Sequence, residues 1–90
     1  MKESLLPLVG EPVVVDTRSS WVYIGTLAAV HADSLELRDV DVHDSRDLST
    51  SKEVYVHETR SSGVKANRQA VFVNLDYVVS VSPLADVIKF

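Results

Sequence analysis

The stretch from Asn67 to Leu84, N-R-Q-A-V-F-V-N-L-D-Y-V-V-S-V-S-P-L, decides the fold. It is the most strand-like passage of the chain, and it is interrupted once, at Asn74-Leu75-Asp76. Val71, Phe72 and Val73 precede the break; Tyr77, Val78, Val79 and Val81 follow it. β-Branched and aromatic residues at this density fit a pleated surface. Asn and Asp satisfy backbone groups locally and favour a tight bend. The stretch therefore predicts two short strands joined by a sharp corner.

Ninety residues suffice for one domain, placed here at 1–90. At that length folding buries only about two-thirds of the surface of the unfolded chain, so an isolated monomer has modest stability. Hydrophobic content is 46%, with few Gly and Pro, which argues against disorder. No cysteine is present, so neither disulfides nor thiolate metal sites contribute. An efficient core, a partner, or both must make up the difference, and a partner is expected. The apolar run after Met1-Lys2-Glu3-Ser4 is too short, and too soon broken by Pro7, for a signal peptide or a membrane span. A cytoplasmic protein that does not enter a membrane is the expectation. The formal charge of −4 disfavours generic nucleic-acid binding, but permits a local basic site on an acidic body.

Upstream, residues 1–10 predict a short helix with Leu5, Leu8 and Val9 on one side and Gly10 at its end. Pro12 opens a first strand running through Val13-Val14-Val15-Asp16-Thr17, and Arg18-Ser19-Ser20 is a turn. Residues 21–30 (WVYIGTLAAV) form a longer strand. By alternation Trp21, Tyr23, Leu27 and Ala29 share one face, and Val22, Ile24, Ala28 and Val30 the other. Gly25 marks a bend or a close backbone approach, which a small barrel requires. In Leu35-Glu36-Leu37-Arg38 the apolar residues are odd-numbered; in Val40-Asp41-Val42 they are even. That switch of parity predicts a bulge near Arg38–Asp39.

Residues 43–66 are an insertion too long to be structureless in a domain this small. Thr50-Ser51-Lys52-Glu53 has the capping-box pattern, Gly63 suits the position after a helix, and Arg60 lies where positive charge favours a helix end. A helix over about 51–62 is expected. Val54-Tyr55-Val56-His57 would also suit a strand; the caps at both ends favour the helix. The last residues, 85–90, form an apolar tail that either frays or docks.

This order, a short helix, strands of roughly five, ten and eight residues, a variable connection and two strands with a corner, resembles the Sm-like family. The local matches are Leu8-Val9-Gly10 with Val13 and Val15, Tyr23-Ile24-Gly25-Thr26-Leu27, Leu35-Glu36-Leu37-Arg38-Asp39-Val40, and Val73-Asn74-Leu75-Asp76-Tyr77-Val78-Val79-Ser80-Val81-Ser82-Pro83. They extend over residues 5–42 and 68–84; the inserted helix is not typical of the family. The resemblance implies a mostly β fold, a five-stranded, strongly bent, SH3-like barrel. It also implies a homo-oligomeric ring in which the last two strands pair between neighbours, with Val71, Phe72, Val73, Tyr77, Val78, Val79 and Val81 at the interface. In the family, uridine-rich RNA is held by an asparagine before the third strand and an arginine-glycine pair at the last corner. Those positions here are Ser34 and Asn74-Leu75. Ser34 keeps a hydroxyl and Asn74 an amide, but the guanidinium, with its charge and planar stacking, is lost.

The remaining residues offer little chemistry. His31, His43 and His57 lie 12 and 14 residues apart, match no compact ligand motif, and are expected in exposed loops or helices. Asp39, Asp41, Asp44 and Asp47 form an acidic run that lacks the glycine and glutamate of a calcium loop, so a solvated face is expected. No metal, cofactor or catalytic constellation is expected. Arg60, Lys65, Asn67 and Arg68 make the one concentrated basic segment, a candidate phosphate-binding surface with Tyr55 as a stacking platform. Two functions follow: a non-catalytic ring binding single-stranded RNA, or a ring serving as a scaffold for a protein partner at the inserted helix.

Overall fold

The computed structural model describes residues 2–47 and 51–88. Five antiparallel strands form one sheet: β1 (Pro12–Thr17), β2 (Trp21–Val30), β3 (Ser34–Asp44), β4 (Arg68–Asn74) and β5 (Val78–Pro83), in the order β4-β3-β2-β1-β5. The break at Asn74-Leu75-Asp76 becomes a single 3₁₀ turn, Leu75–Tyr77, between β4 and β5. The two strands that meet at this corner are thus the two edges of the sheet.

Two irregularities bend the long strands. Ile24 pairs with Asp41 and Thr26 with Arg38, so Gly25 alone opposes Asp39 and Val40. Asp39 takes φ of 51°, a conformation that short polar side chains tolerate. The bulge lies where the parity switch placed it. It lets Leu35, Leu37 and Val40 all enter one buried cluster, with Val42 packed against it. A second irregularity adds Ala28 to β2, since Leu27 pairs with Leu37 and Ala29 with Glu36. This one corrects the alternation read for β2. Val30 turns to the side of Tyr23 and Leu27 and leaves that of Val22 and Ile24.

The sheet consequently has two apolar faces. On one, Val13, Val15, Leu27, Leu35 and Leu37 are fully buried, and the N-terminal segment closes over them. That segment is α1 (Lys2–Leu5) continued by a 3₁₀ turn, Leu6–Leu8, which contains Pro7. Leu5 is buried and Leu8 packs against the cluster. Val9, expected beside them, is 42% exposed because the backbone turns extended there, before Gly10 at φ of 94°. The other face is covered by α2 (Lys52–Ser62), whose Val56 joins Val14, Val22, Ile24 and Leu84. Burying a valine of this kind contributes about 2 kcal/mol. Leu84 and Val87 dock the start of the C-terminal tail onto this second cluster, whereas Ile88 stays 81% exposed.

The insertion is fastened at each end. Ser51 caps α2, its Oγ accepting from the Val54 N–H at 3.3 Å; Thr50, expected at the cap, lies outside the described residues. Gly63, at φ of 92°, ends the helix with its N–H on the Thr59 carbonyl at 2.8 Å. At the end of β3, Asp44 accepts from Arg46 Nη2 at 2.7 Å, from Arg46 Nε at 3.1 Å and from the Arg46 N–H at 3.0 Å. The Arg46 guanidinium, then the Ser20 hydroxyl and the Arg46 N–H, hold the Asp44 carboxyl well below its ordinary 3.8. A depressed folded-state pKa adds stability above the unfolded value, and that stability is lost as pH falls through the folded one. The melting-temperature gap between wild type and Asp44→Asn is expected to be full above about pH 5 and to narrow below about pH 4. A pH series of thermal melts checks this.

Candidate nucleic-acid interface

Ser34 and Asn74, separated by forty positions in the chain, are direct partners in the β3–β4 ladder. Ser34 begins β3 after a turn in which its carbonyl accepts from the His31 N–H at 2.8 Å. Asn74 ends β4 and caps the 3₁₀ corner, with Oδ1 accepting from the Asp76 N–H at 2.9 Å. The Leu75 N–H donates to the Asp33 carbonyl at 2.9 Å, which locks the corner against the β2–β3 turn. A hydroxyl and an amide thus share one rim of the sheet.

The corner also holds a cation that the sequence did not announce. Arg18, in the β1–β2 turn, donates its N–H to the Tyr77 carbonyl at 2.9 Å and Nη2 to the Asp76 carbonyl. Its guanidinium carbon lies 5.7 Å from the centre of the Tyr77 ring, within cation–π range. Arg18 is exposed and Tyr77 is 58% exposed, so both present polar or aromatic surface to solvent. Nothing in Arg18-Ser19-Ser20 signals this. The contact spans 58 positions and exists only because β5 pairs with β1.

The basic segment is dispersed. Arg60 closes the last turn of α2 and donates Nε to the Ala85 carbonyl at 3.2 Å. Lys65 and Arg68 are exposed, and Arg68 donates Nη1 to the Asn67 carbonyl at 3.0 Å. Arg68 starts β4 and Asn74 ends it, which separates the two by about 20 Å at the usual rise per residue. Asn67 is occupied structurally, because its side-chain amide donates to the Val42 carbonyl and accepts from the Val42 N–H, each at 3.0 Å. Tyr55 is half-buried, its hydroxyl donating to Asp41 Oδ2 and its ring 4.4 Å from that of His43. The structure therefore brings Ser34 and Asn74 together, adds Arg18 and Tyr77 beside them, and leaves Arg60, Lys65, Arg68 and Tyr55 elsewhere.

The acidic run and the histidines are placed partly as expected and partly not. Asp39 and Asp47 are exposed, but Asp41 is 1% exposed, because the face of β3 that carries it lies under α2, and Asp44, on the opposite face, is 6% exposed and held by Arg46. His31 is exposed and donates from Nε2 to Glu36 Oε1 at 2.9 Å. His43 is half-buried within β3 and hydrogen-bonds through Nδ1 to Asp41, and His57 is half-buried in α2. No described helix is long and apolar enough to cross a membrane.

No protein-family profile matches the chain, and no curated protein does. Among solved structures, the Sm protein of Pyrococcus abyssii, determined in complex with a uridine heptamer, matches with a TM-score of 0.61. The match covers 90% of this chain and 93% of that one at 12% identity. The fold is Sm-like.

Proposed function

We propose that this Sm-like chain assembles as a homo-oligomeric ring and binds single-stranded RNA, without catalysis, at the rim formed by Ser34, Asn74 and Arg18. The observation that carries the reading is the guanidinium at the corner. The family's arginine-glycine position is Asn74-Leu75 here, yet Arg18 reaches the same turn from β1–β2. It supplies charge and a planar donor surface beside an exposed aromatic ring. The structural neighbour bound to a uridine heptamer supports the same direction.

Ring formation is supported by the two edges. The outer sides of β4 and β5 have no partner within the described sheet. Of the expected interface residues, Phe72, Tyr77 and Val79 are 63%, 58% and 58% exposed. Val73 is buried within the chain, and Val71, Val78 and Val81 pack partly against the core. Exposed edge strands invite pairing, and closure in a ring leaves none open. The competing function, a scaffold binding a protein at α2, is favoured by the net charge of −4.

Salt titration of oligouridine and oligoadenosine binding separates the two. Binding that weakens as salt rises supports the rim, and Arg18→Ala is expected to reduce affinity about tenfold. Ser34→Ala with Asn74→Ala is expected to lower it by a similar factor. No binding to either oligonucleotide at low salt removes the RNA reading in favour of the scaffold. Arg60→Ala with Arg68→Ala tests the basic segment separately, and unchanged affinity removes that segment from the site.

A further inference from the structure

We infer that the cleft between α2 and β5 is a socket for Phe72 of a neighbouring copy, so that the inserted helix acts as an assembly element. This rests on the ring reading above and goes beyond pairing of strand edges. The cleft has a volume of about 330 Å³. Its floor is Val14, Val22 and Val56, its β5 side is Ser80 and Ser82, and Glu53 and Asp86 stand on its rim. About 150 Å³ is enough for an apolar cavity to take up benzene, so the space admits a benzyl side chain.

Face parity selects the occupant. Ser80 and Ser82 pair with Asp16 and Val14, on the face that α2 covers, while Val81 pairs with Val15 and belongs to the other core. On β4, Val71 and Val73 face that other core through Leu37 and Leu35. Phe72, which pairs with Glu36, therefore lies on the α2 side of the sheet. If β4 of one copy continues the sheet beyond β5 of the next, the faces stay in register. Phe72 of the first then projects beside Ser80 and Ser82 of the second, toward the open cleft. Within its own chain Phe72 is 63% exposed and meets only the His31 ring, 6.0 Å away, as an aromatic neighbour among the described residues.

Charge agrees with this pairing. Lys52 is engaged by Asp16 at 2.8 Å and by the Ser19 carbonyl at 3.0 Å, so Glu53 and Asp86 give the rim a negative character. On the β4 side Arg38 is paired with Glu36 at 2.7 Å, and Arg68, exposed at the start of the strand, donates Nη1 to the Asn67 carbonyl and forms no ion pair with a carboxylate among the described residues. A socket with an acidic rim thus faces a strand that presents an exposed aromatic and, at its start, the Arg68 cation, and opposite charges across such a contact favour one register.

The chain has no cysteine, so a directed disulfide is a clean test. A Phe72→Cys chain with an N-terminal mass tag is co-assembled with an untagged Glu53→Cys chain, oxidised, and resolved without reductant. The mixed dimer is expected as the main product, because a disulfide needs Cα atoms within about 7 Å. Phe72→Ala, at a position exposed in the free chain, is expected to raise the dissociation concentration of the assembly at least tenfold. An assembly of normal mass by light scattering that yields only tagged homodimers, or no cross-link, overturns the socket and leaves the ring standing. Unchanged dissociation of Phe72→Ala also overturns it. A wild-type chain that stays monomeric at micromolar concentration overturns the ring, and the socket with it.

Discussion

Gly25→Val is expected to cost about 3 kcal/mol of stability and to lower the melting temperature by roughly 12–24 °C. Gly25 does not need glycine for its backbone angles, since its φ is not positive. It needs glycine for space. A Cβ there would lie 3.0 Å from the Arg38 carbonyl oxygen and 3.1 Å from both Cα and Cγ2 of Val40. Two of those three atoms are main chain, held in the β3 bulge, and cannot swing aside as a side chain would. The bulge crosses β2 closely at that point because two residues of β3 share the space opposite one of β2. Gly25→Ala should show a smaller loss, about 1–2 kcal/mol, and the two branches of valine the larger one. Thermal melts at fixed protein concentration, so that assembly contributes equally, measure both. A valine variant melting within a few degrees of wild type would show that the crossing is slack.

Asp41→Ala is expected to cost about 3 kcal/mol and to loosen α2 selectively. Asp41 is 1% exposed, and its two carboxylate oxygens are engaged by different groups, Oδ1 by His43 Nδ1 and Oδ2 by the Tyr55 hydroxyl. Burial first, and then the hydrogen bond and charge of Asp41 with a further contribution from Glu58, push the Tyr55 phenol well above its ordinary 10.0. The hydroxyl therefore remains a donor across the neutral range, tying the first turn of the helix to β3. Removing the carboxylate leaves the Tyr55 hydroxyl and His43 Nδ1, 2.6 Å apart, with one hydrogen bond between them where the three groups had shared more. Tyr55→Phe should cost less, about 1 kcal/mol, because His43 still faces the carboxylate. A double-mutant cycle is expected to give a coupling of order 1 kcal/mol between positions 41 and 55. Amide exchange in residues 52–62 should accelerate in Asp41→Ala more than in the strands. Strict additivity, or exchange that rises evenly throughout, would sink this account of how the helix is held.

The backbone of the fold was legible because local signals and the final packing agree. The odd-to-even switch across Arg38–Asp39 shows in the sequence because both halves of β3 serve the same core. Helix α2 was legible from its ends, a serine or threonine at the start and glycine at the close, rather than from its β-prone middle. What failed to show depends on contacts between remote segments. The bulge at Ala28 leaves no mark, since alanine on either face satisfies the alternation; only Val30 reveals it. The burial of Asp41 was hidden because an acidic run reads as solvated until a helix is laid across it, and that of Asp44 because its fold-back partner, Arg46, belongs to the turn that follows β3. Arg18 and Asn67 were hidden for a related reason. Each acts on backbone atoms far along the chain, and no periodicity records such a contact.

The amide of Asn67 has one further effect. By meeting both the N–H and the carbonyl of Val42, it behaves as one additional rung on the β3–β4 ladder, supplied by a side chain. The return of the chain is thereby anchored at a single point, independent of what lies between. Segments longer or shorter than this one could occupy positions 45–66 without slipping the register of β4, provided they bring another apolar side chain to cover Val14, Val22 and Ile24 where Val56 now does.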